Sequence, residues 1–355
     1  MSLYFFGENL FMRKYSALDS SHILMAYTNT KKPWKSLAWS NTRISLLEHC
    51  ERKYFFNYYT FILREDFPEE WKETLVLKWL KSIEMWVGEK SHFLLSDYLH
   101  ALQAGEVEVD TITSLKDTMK AEMEADFAFS KMRDYQNDED FFGKFGLSEH
   151  FYGEDVDAEL PLAIEKVCGN LDRFIASSWH SKVQDCFERA KMVYVESPRE
   201  PDFEAMRVNI SKIPALRGIS VMASPDFWAI FSDTEYLIID WKSGKEDVLQ
   251  EWISDQLKVY ALKMLLKKGY TSLQGVRIEA YEVYLNTMTA YGGVLKQEDI
   301  DGVVAKIEKD VELQKDFLVD KNPILNLPVE KDMFRKTTNA KKCENCTFRS
   351  VCGKL

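Results

Sequence analysis

The stretch 191–287 constrains the fold most. Within it MVYVESP, MRVNISKI, GISVMASPDFWAIF, EYLIIDWKSG and VRIEAYEVYLNT are short, rich in β-branched and aromatic residues, and separated by turn-forming residues. That pattern reads as a run of strands. A helical segment at 247–268 interrupts it, with Leu249, Trp252, Ile253, Gln256, Leu257 and Tyr260 on one broad face. GGVLKQEDIDGVVAKIEKDVELQKDFL then reads as a turn and an amphipathic helix. Upstream, helical periodicity dominates. It runs over 44–60, where Cys50, Tyr54 and Tyr58 share a face, and over 70–100, with Gly88 inside. It returns in TSLKDTMKAEMEADFAFSKMRDY and in a helix pair at 161–190 carrying Val167, Leu171 and Phe174. Strands flanked by helices make an α/β chain. Residues 1–40 show no clean period and read as an arm or a strand pair with no assigned role, and no repeat of about 20–50 residues is visible.

The 355 residues suit one large domain or two ordinary ones. No run of about 18 apolar residues occurs, which excludes a membrane-spanning helix. The segment MSLYFFGENLFMRKYS lacks the charged and apolar regions of a secretion signal, so a cytoplasmic location is expected. The net charge is −11 but unevenly spread. Residues 106–160 carry 16 acids and 5 bases, whereas 331–355 carry 7 bases and 2 acids. An acidic insert on a body with a basic tail is compatible with a polyanionic partner.

The chemistry concentrates in Pro225-Asp226 and, fourteen residues on, Asp240-Trp241-Lys242. Asp240 ends the apolar run YLII, and Lys242 leaves the strand on the same side. Two carboxylates with the intervening Trp241 carbonyl suit Mg²⁺ or Mn²⁺. Such a metal activates water and stabilises charge on a phosphodiester. Lys242 could orient or deprotonate that water, or steady the pentavalent phosphorus. Asp-x-Lys alone is equally an ion pair beside a turn. The context adds Ser243-Gly244 and a helix bearing Gln256 and Tyr260 four residues apart.

With those residues the sequence resembles the PD-(D/E)XK nuclease superfamily, in particular its RecB-like branch. That branch reads as an aspartate, a strand ending Asp-aromatic-Lys-x-Gly, and a helix with Gln-x-x-x-Tyr. The resemblance covers roughly 41–110 and 190–355. It implies a restriction-endonuclease-like core, a mixed central sheet flanked by helices, with a helical insertion at about 105–190. It implies that Asp226 and Asp240 are metal ligands, that Lys242 is catalytic, and that Gln256 and Tyr260 border the metal site. His92, on a helix after Gly88, fits the branch's upstream histidine and would be a further ligand. His100 and His49 are weaker candidates, and Glu196 resembles an acidic position near the site. Ala-Ser-Pro precedes Asp226 where the branch often has a glycine, so Asp233 stands as the alternative aspartate.

Cys343-x2-Cys346-x5-Cys352 offers three soft ligands where a tetrahedral site or a cubane needs four. The best remote fourth is Cys50, in SLLEHCERKYFFNY. This motif resembles the start of AddB-like and CRISPR-associated RecB-like nucleases. There, one N-terminal and three C-terminal cysteines hold a [4Fe–4S] cluster that staples the chain's ends. Zinc is the alternative ion. Cys168 and Cys186 match nothing and read as small hydrophobes. The resemblance implies a metal-dependent deoxyribonuclease acting on single strands or ends, often as an exonuclease. The family's roles include DNA repair, CRISPR spacer acquisition and phage replication. A nucleic-acid-binding or docking subunit of a larger helicase–nuclease or defence complex is the other reading, with the acidic insert as a protein-binding surface.

Overall fold

The computed structural model describes residues 36–60, 68–136, 145–202, 206–246 and 253–353. The order begins β1 (Ala38–Trp39), α1 (Asn41–His49), α2 (Glu51–Tyr58), α3 (Pro68–Trp79), β2 (Leu80–Lys81) and α4 (Ile83–Ala104). It continues with α5 (Val109–Met132), β3 (Gly146–Leu147), α6 (Ser148–Phe151), α7 (Glu159–Ile175) and α8 (Ser178–Arg189). Next come β4 (Met192–Val195), β5 (Ser220–Val221), β6 (Phe227–Ser232), β7 (Glu235–Lys242) and α9 (Asp255–Lys267). The rest is β8 (Arg277–Tyr284), β9 (Thr289–Val294), α10 (Gln297–Lys315), α11 (Ala340–Glu344) and α12 (Arg349–Cys352).

The main sheet is mixed, with order β4-β6-β7-β8-β9. β7 and β8 are parallel and joined through α9, and the other pairs are antiparallel. Side-chain alternation on β7 divides the protein into two cores. Tyr236 and Ile238 join one face with Leu257, Ala261 and Leu265 of α9 and Ile307 of α10. Leu237, Ile239 and Trp241 join the other with Trp86 and Leu95 of α4, Met123 of α5 and Val167 and Phe174 of α7. Each fully buried Ile or Leu is worth about 1.5–3 kcal/mol. Slipping β7 by one residue would exchange both sets of faces. The same packing that fixes the register therefore directs Asp240 and Lys242 toward α9.

Several elements differ from the sequence expectation. The region 70–100 is two helices broken at Leu80–Lys81, because Ser82 caps the second by accepting from Met85 N at 3.2 Å. MRVNISKI forms only the isolated bridge Arg207–Met222, since turns at 211–212 and Pro214 interrupt it. The glycine pair expected as a turn lies within β9. A Cβ on Gly292 would stand 2.0 Å from Ala280 O, so glycine is there to let the edge strand approach. α9 starts at Asp255 behind the cap Ser254, and Leu249 and Trp252 fall outside the described residues. The expected arm falls mostly outside them too, but Trp39 is buried and donates from Nε1 to Asp310 at 3.0 Å.

The acidic helices are a layer of the fold. α4, α5, α7 and α8 cover one face of the main sheet. Part of their acidity is used internally: buried Lys90 pairs with Glu122 and, at 2.6 Å, with Asp126. Arg199 pairs with Asp97 at 3.1 Å and Glu122 at 3.0 Å. The tail docks just past α6, through Arg349–Glu154 at 2.8 Å and Tyr152 Oη donating to Thr347 O at 2.6 Å. Among the described residues no helix is long and apolar enough to cross a membrane.

Candidate active site

The site lies where β6 begins and β7 ends. Phe227 pairs with Ile239, so the preceding Asp226 comes beside Asp240. Asp226 Oδ2 accepts from Trp241 N at 2.7 Å, which fixes one carboxylate to the backbone between the other two site residues. α4 lies across this end. Gly88 permits its approach, since a Cβ there would meet Ser243 Oγ at 2.9 Å. One turn on, His92 Nδ1 stands 3.5 Å from Asp226 Oδ2. Another turn on, Ser96 Oγ donates to Glu196 O at 2.6 Å, tying the end of β4 to the same helix. His92, Ser96, Glu196, Asp226 and Trp241 line a small cleft.

α9 supplies the opposite wall. Ser254 caps it, accepting from Leu257 N at 3.3 Å. Gln256 and Tyr260, one turn apart, then face β7. Tyr260 Oη donates to Asp240 Oδ1 at 3.0 Å, and Gln256 Nε2 donates to the same oxygen at 3.2 Å. Lys242 Nζ stands 2.6 Å from Asp240 Oδ2 and donates to Gln256 Oε1 at 2.7 Å. Asp226, Asp240, Lys242, Gln256, Tyr260, His92 and Glu196 thus gather at one end of the sheet. Asp233 lies in the β6–β7 turn at the other end, largely exposed and 3.4 Å from Lys268, so it is no substitute for Asp226. His100 is exposed and bonds Ser197 at 3.1 Å, away from the carboxylates.

Burial and mutual charge set the protonation of the group. Burial, and then the charge of Asp226, push Asp240 up to about 6 despite Lys242. Burial and Asp226 likewise push Glu196 up to about 7. Burial opposes a charge on His92, but Asp226 and Asp240 outweigh it and raise the imidazole to about 9. Burial opposes ionisation of Asp226 as well, yet His92 and the Trp241 N–H hold it below the usual range. Lys242 is raised against burial by Asp240, Glu282 and Asp226.

Glu282 is a further member of the site that the motif spacing does not announce. Asp240 pairs with it in register across β7 and β8, and it is buried. Its Oε1 lies 3.7 Å from Lys242 Nζ and accepts from Ser254 Oγ at 2.6 Å. A signal existed: Glu282 continues the apolar alternation of Ile278 and Ala280, where a charge needs a reason to be buried.

Cys50 forms the extended joint between α1 and α2, and the other three candidate cysteines lie in and around α11 and α12. The two regions are tied together. Arg52 Nε donates to Phe334 O at 2.9 Å, Arg335 N to Glu51 at 2.7 Å, and Phe56 stacks on Phe348. Burial raises the Cys346 thiol, and the neighbouring Cys50 and Cys352 add to the rise. Burial raises Cys352 similarly, with Cys50 and Cys343 contributing. The four sulfurs therefore share one electrostatic neighbourhood. His49 is nearby, lowered by burial and by Lys342 and Lys53. Cys186 is buried and Cys168 half-buried, both apart from this group in α8 and α7. Among the described residues, no three His, Cys, Asp or Glu side chains stand ready to hold a metal ion as they are placed.

No curated protein matches the chain. A family model described as the PD-(D/E)XK nuclease superfamily matches residues 38–353, from β1 to just past α12. The chain belongs to the PD-(D/E)XK nuclease superfamily.

Proposed function

We propose that this protein is a divalent-metal-dependent deoxyribonuclease of the RecB-like branch, acting on single-stranded DNA or DNA ends as an exonuclease. The observation that carries the reading is the joint placement of Asp226, Asp240 and Lys242, with Gln256 and Tyr260 bracing Asp240 from α9. The donor set fits Mg²⁺ or Mn²⁺. Asp226, Asp240 and Glu196 gather three carboxylates about the cleft, and burial first, then the charge of Asp226, raise the pKa of Asp240 and Glu196, so a cation there would relieve both. Oxygen ligands with one imidazole are the company such ions keep. Asp226, Asp240, His92 and the Trp241 carbonyl would hold the ion, and Glu196 borders them.

When bound, the ion supplies Lewis acidity and lowers the pKa of water. The chain's own residues do the rest. Lys242, raised in pKa, is an ammonium at neutral pH. It can orient the attacking oxygen and stabilise negative charge on a phosphoryl oxygen, but in that state it cannot take a proton. Gln256 fixes its direction by accepting at 2.7 Å. Tyr260, raised well above the usual phenol by burial and by Asp240, remains a donor and holds Asp240 in one rotamer. The basic tail, with Arg43 and Lys53 near Cys50, would follow the phosphate backbone, whereas Arg52 is buried and held by Phe334 O and Asp332.

The tail cysteines and Cys50 complete the proposal as a [4Fe–4S] site, with Zn²⁺ as the other occupant that four thiolates would suit. Its role would be to fasten α2 to the C-terminal segment. The nuclease reading is tested with end-labelled single- and double-stranded DNA in Mn²⁺, comparing wild type with Asp240→Ala. Cleavage by the wild type that is lost in the variant and in EDTA supports it. Equal cleavage by both proteins would refute the assignment of the site.

A further inference from the structure

Lys242 and the metal cannot share Asp240 as it is placed. Asp240 Oδ1 is taken by Tyr260 and Gln256, and Oδ2 by the Lys242 ammonium at 2.6 Å. A divalent cation held by Asp226 and Asp240 would need an Asp240 oxygen, and the ammonium on Oδ2 would repel it. The ammonium needs somewhere to go. Glu282 stands across from Asp240 on the parallel strand, with its Oε1 3.7 Å from Lys242 Nζ. This carboxylate is buried, accepts from Ser254 Oγ at 2.6 Å and sits at the N-terminus of the thirteen-residue α9, where an anion is favoured. A movement of about 1 Å would bring Lys242 into full contact with it.

We propose that Glu282 is a positioning residue that receives the Lys242 ammonium when a divalent cation binds Asp240, so that metal binding switches Lys242 from one buried carboxylate to the other. This rests on the nuclease reading, because it needs a metal at Asp240. Asp240 and Glu282 then divide two tasks. Asp240 holds whichever cation is present, and Glu282 keeps Lys242 charged and within reach of the reacting phosphate once it has been displaced. Without Glu282, the ammonium remains on Asp240 and competes with the metal.

The test is Mn²⁺ affinity, measured by calorimetry on the full chain without DNA, for wild type, Glu282→Gln, Lys242→Met and the double variant. Glu282→Gln is expected to weaken Mn²⁺ binding roughly tenfold where Lys242 is present, and less than about twofold in the Lys242→Met background. The same factor in both backgrounds would mean that Glu282 acts only through its own field, and would overturn the proposal. Unchanged affinity in Glu282→Gln would also overturn it. Should Glu282→Gln not fold, the cycle runs with Glu282→Asp, which keeps the charge but withdraws it by one methylene. A smaller coupling of the same sign is expected, and none would refute the switch. A wild type that binds no Mn²⁺ at all removes the metal reading itself, a failure distinct from the loss of coupling.

Discussion

Raising the pH from 6.5 to 8 in EDTA is expected to lower the melting temperature of this 355-residue protein by roughly 3 °C. His92 carries the argument. In the unfolded chain it titrates at 6.5; in the folded protein burial works against its charge, but Asp226 and Asp240 lift it to about 9. Above 6.5 the folded state keeps a proton that the unfolded chain releases, so stability falls as pH rises. Over one and a half pH units that amounts to about 2 kcal/mol. Glu196, lifted from 4.5 to about 7 by burial and Asp226, acts in the same direction and finishes within the window. The window also keeps the opposing groups small. His49, His150 and His180 are lowered chiefly by burial, so their contribution falls below 6.5. Lys263, lowered to about 8 by burial and Lys267, opposes weakly over the last unit of the window.

The assay is a thermal melt at fixed ionic strength, with Asp226→Asn as the comparison. That variant removes the carboxylate 3.5 Å from His92 and should flatten the pH slope by half or more. Mn²⁺ should then raise the wild-type melting temperature more at pH 8 than at 6.5, because the imidazole must lose its proton to become a ligand. A melting temperature that stays flat or rises between pH 6.5 and 8 in EDTA would refute the reasoning. An unchanged slope in Asp226→Asn would show that the proton is held elsewhere.

Other outcomes follow from single contacts. Ser254→Ala removes both the cap of α9 and the donor to Glu282, and should cost about 1–3 kcal/mol in urea unfolding. Gly292→Ala places a methyl 2.0 Å from Ala280 O in an edge strand, and should cost more than about 3 kcal/mol or abolish soluble expression. Cys346→Ser should lose bound iron and acid-labile sulfide, together with solubility, in anaerobically purified protein. Cys168→Ser should keep both, and a fully stable Cys346→Ser lacking iron would argue against a fastening role for the cysteine site.

Much of the architecture was legible because local signals agreed with the packing. The apolar run YLII predicts β7, and the alternation through Ile278 and Ala280 predicts β8. Where the reading failed, contact across the chain outweighed composition. Gly292-Gly293 resembles a turn, yet the backbone of β8 lies against it and makes it a strand. The break at Leu80–Lys81 joins the local Ser82 cap to a pairing with Gly146–Leu147, some sixty-five residues away in the chain, which no local period can announce. The acidic helices look detachable by charge, but their apolar faces complete one of the two cores.

The site divides along the same line. Asp240, Lys242, Gln256 and Tyr260 are legible because their spacings are those of one strand end and one helix face, both local geometries. Their union with Asp226 follows from the β6–β7 hairpin, also local. The apolar alternation marks Glu282 as a buried charge, but its partners and those of Ser254 depend on how a parallel strand registers against β7, and parallel pairing leaves no short turn to read. Yet the capping serine and the buried glutamate connect the helix bearing Gln256 and Tyr260 to the strand beside Asp240. The legible residues describe the chemistry the site can attempt. On the proposed metal reading, Glu282 and Ser254 would decide where Lys242 stands once a cation binds, and that position would separate a competing ammonium from a working one.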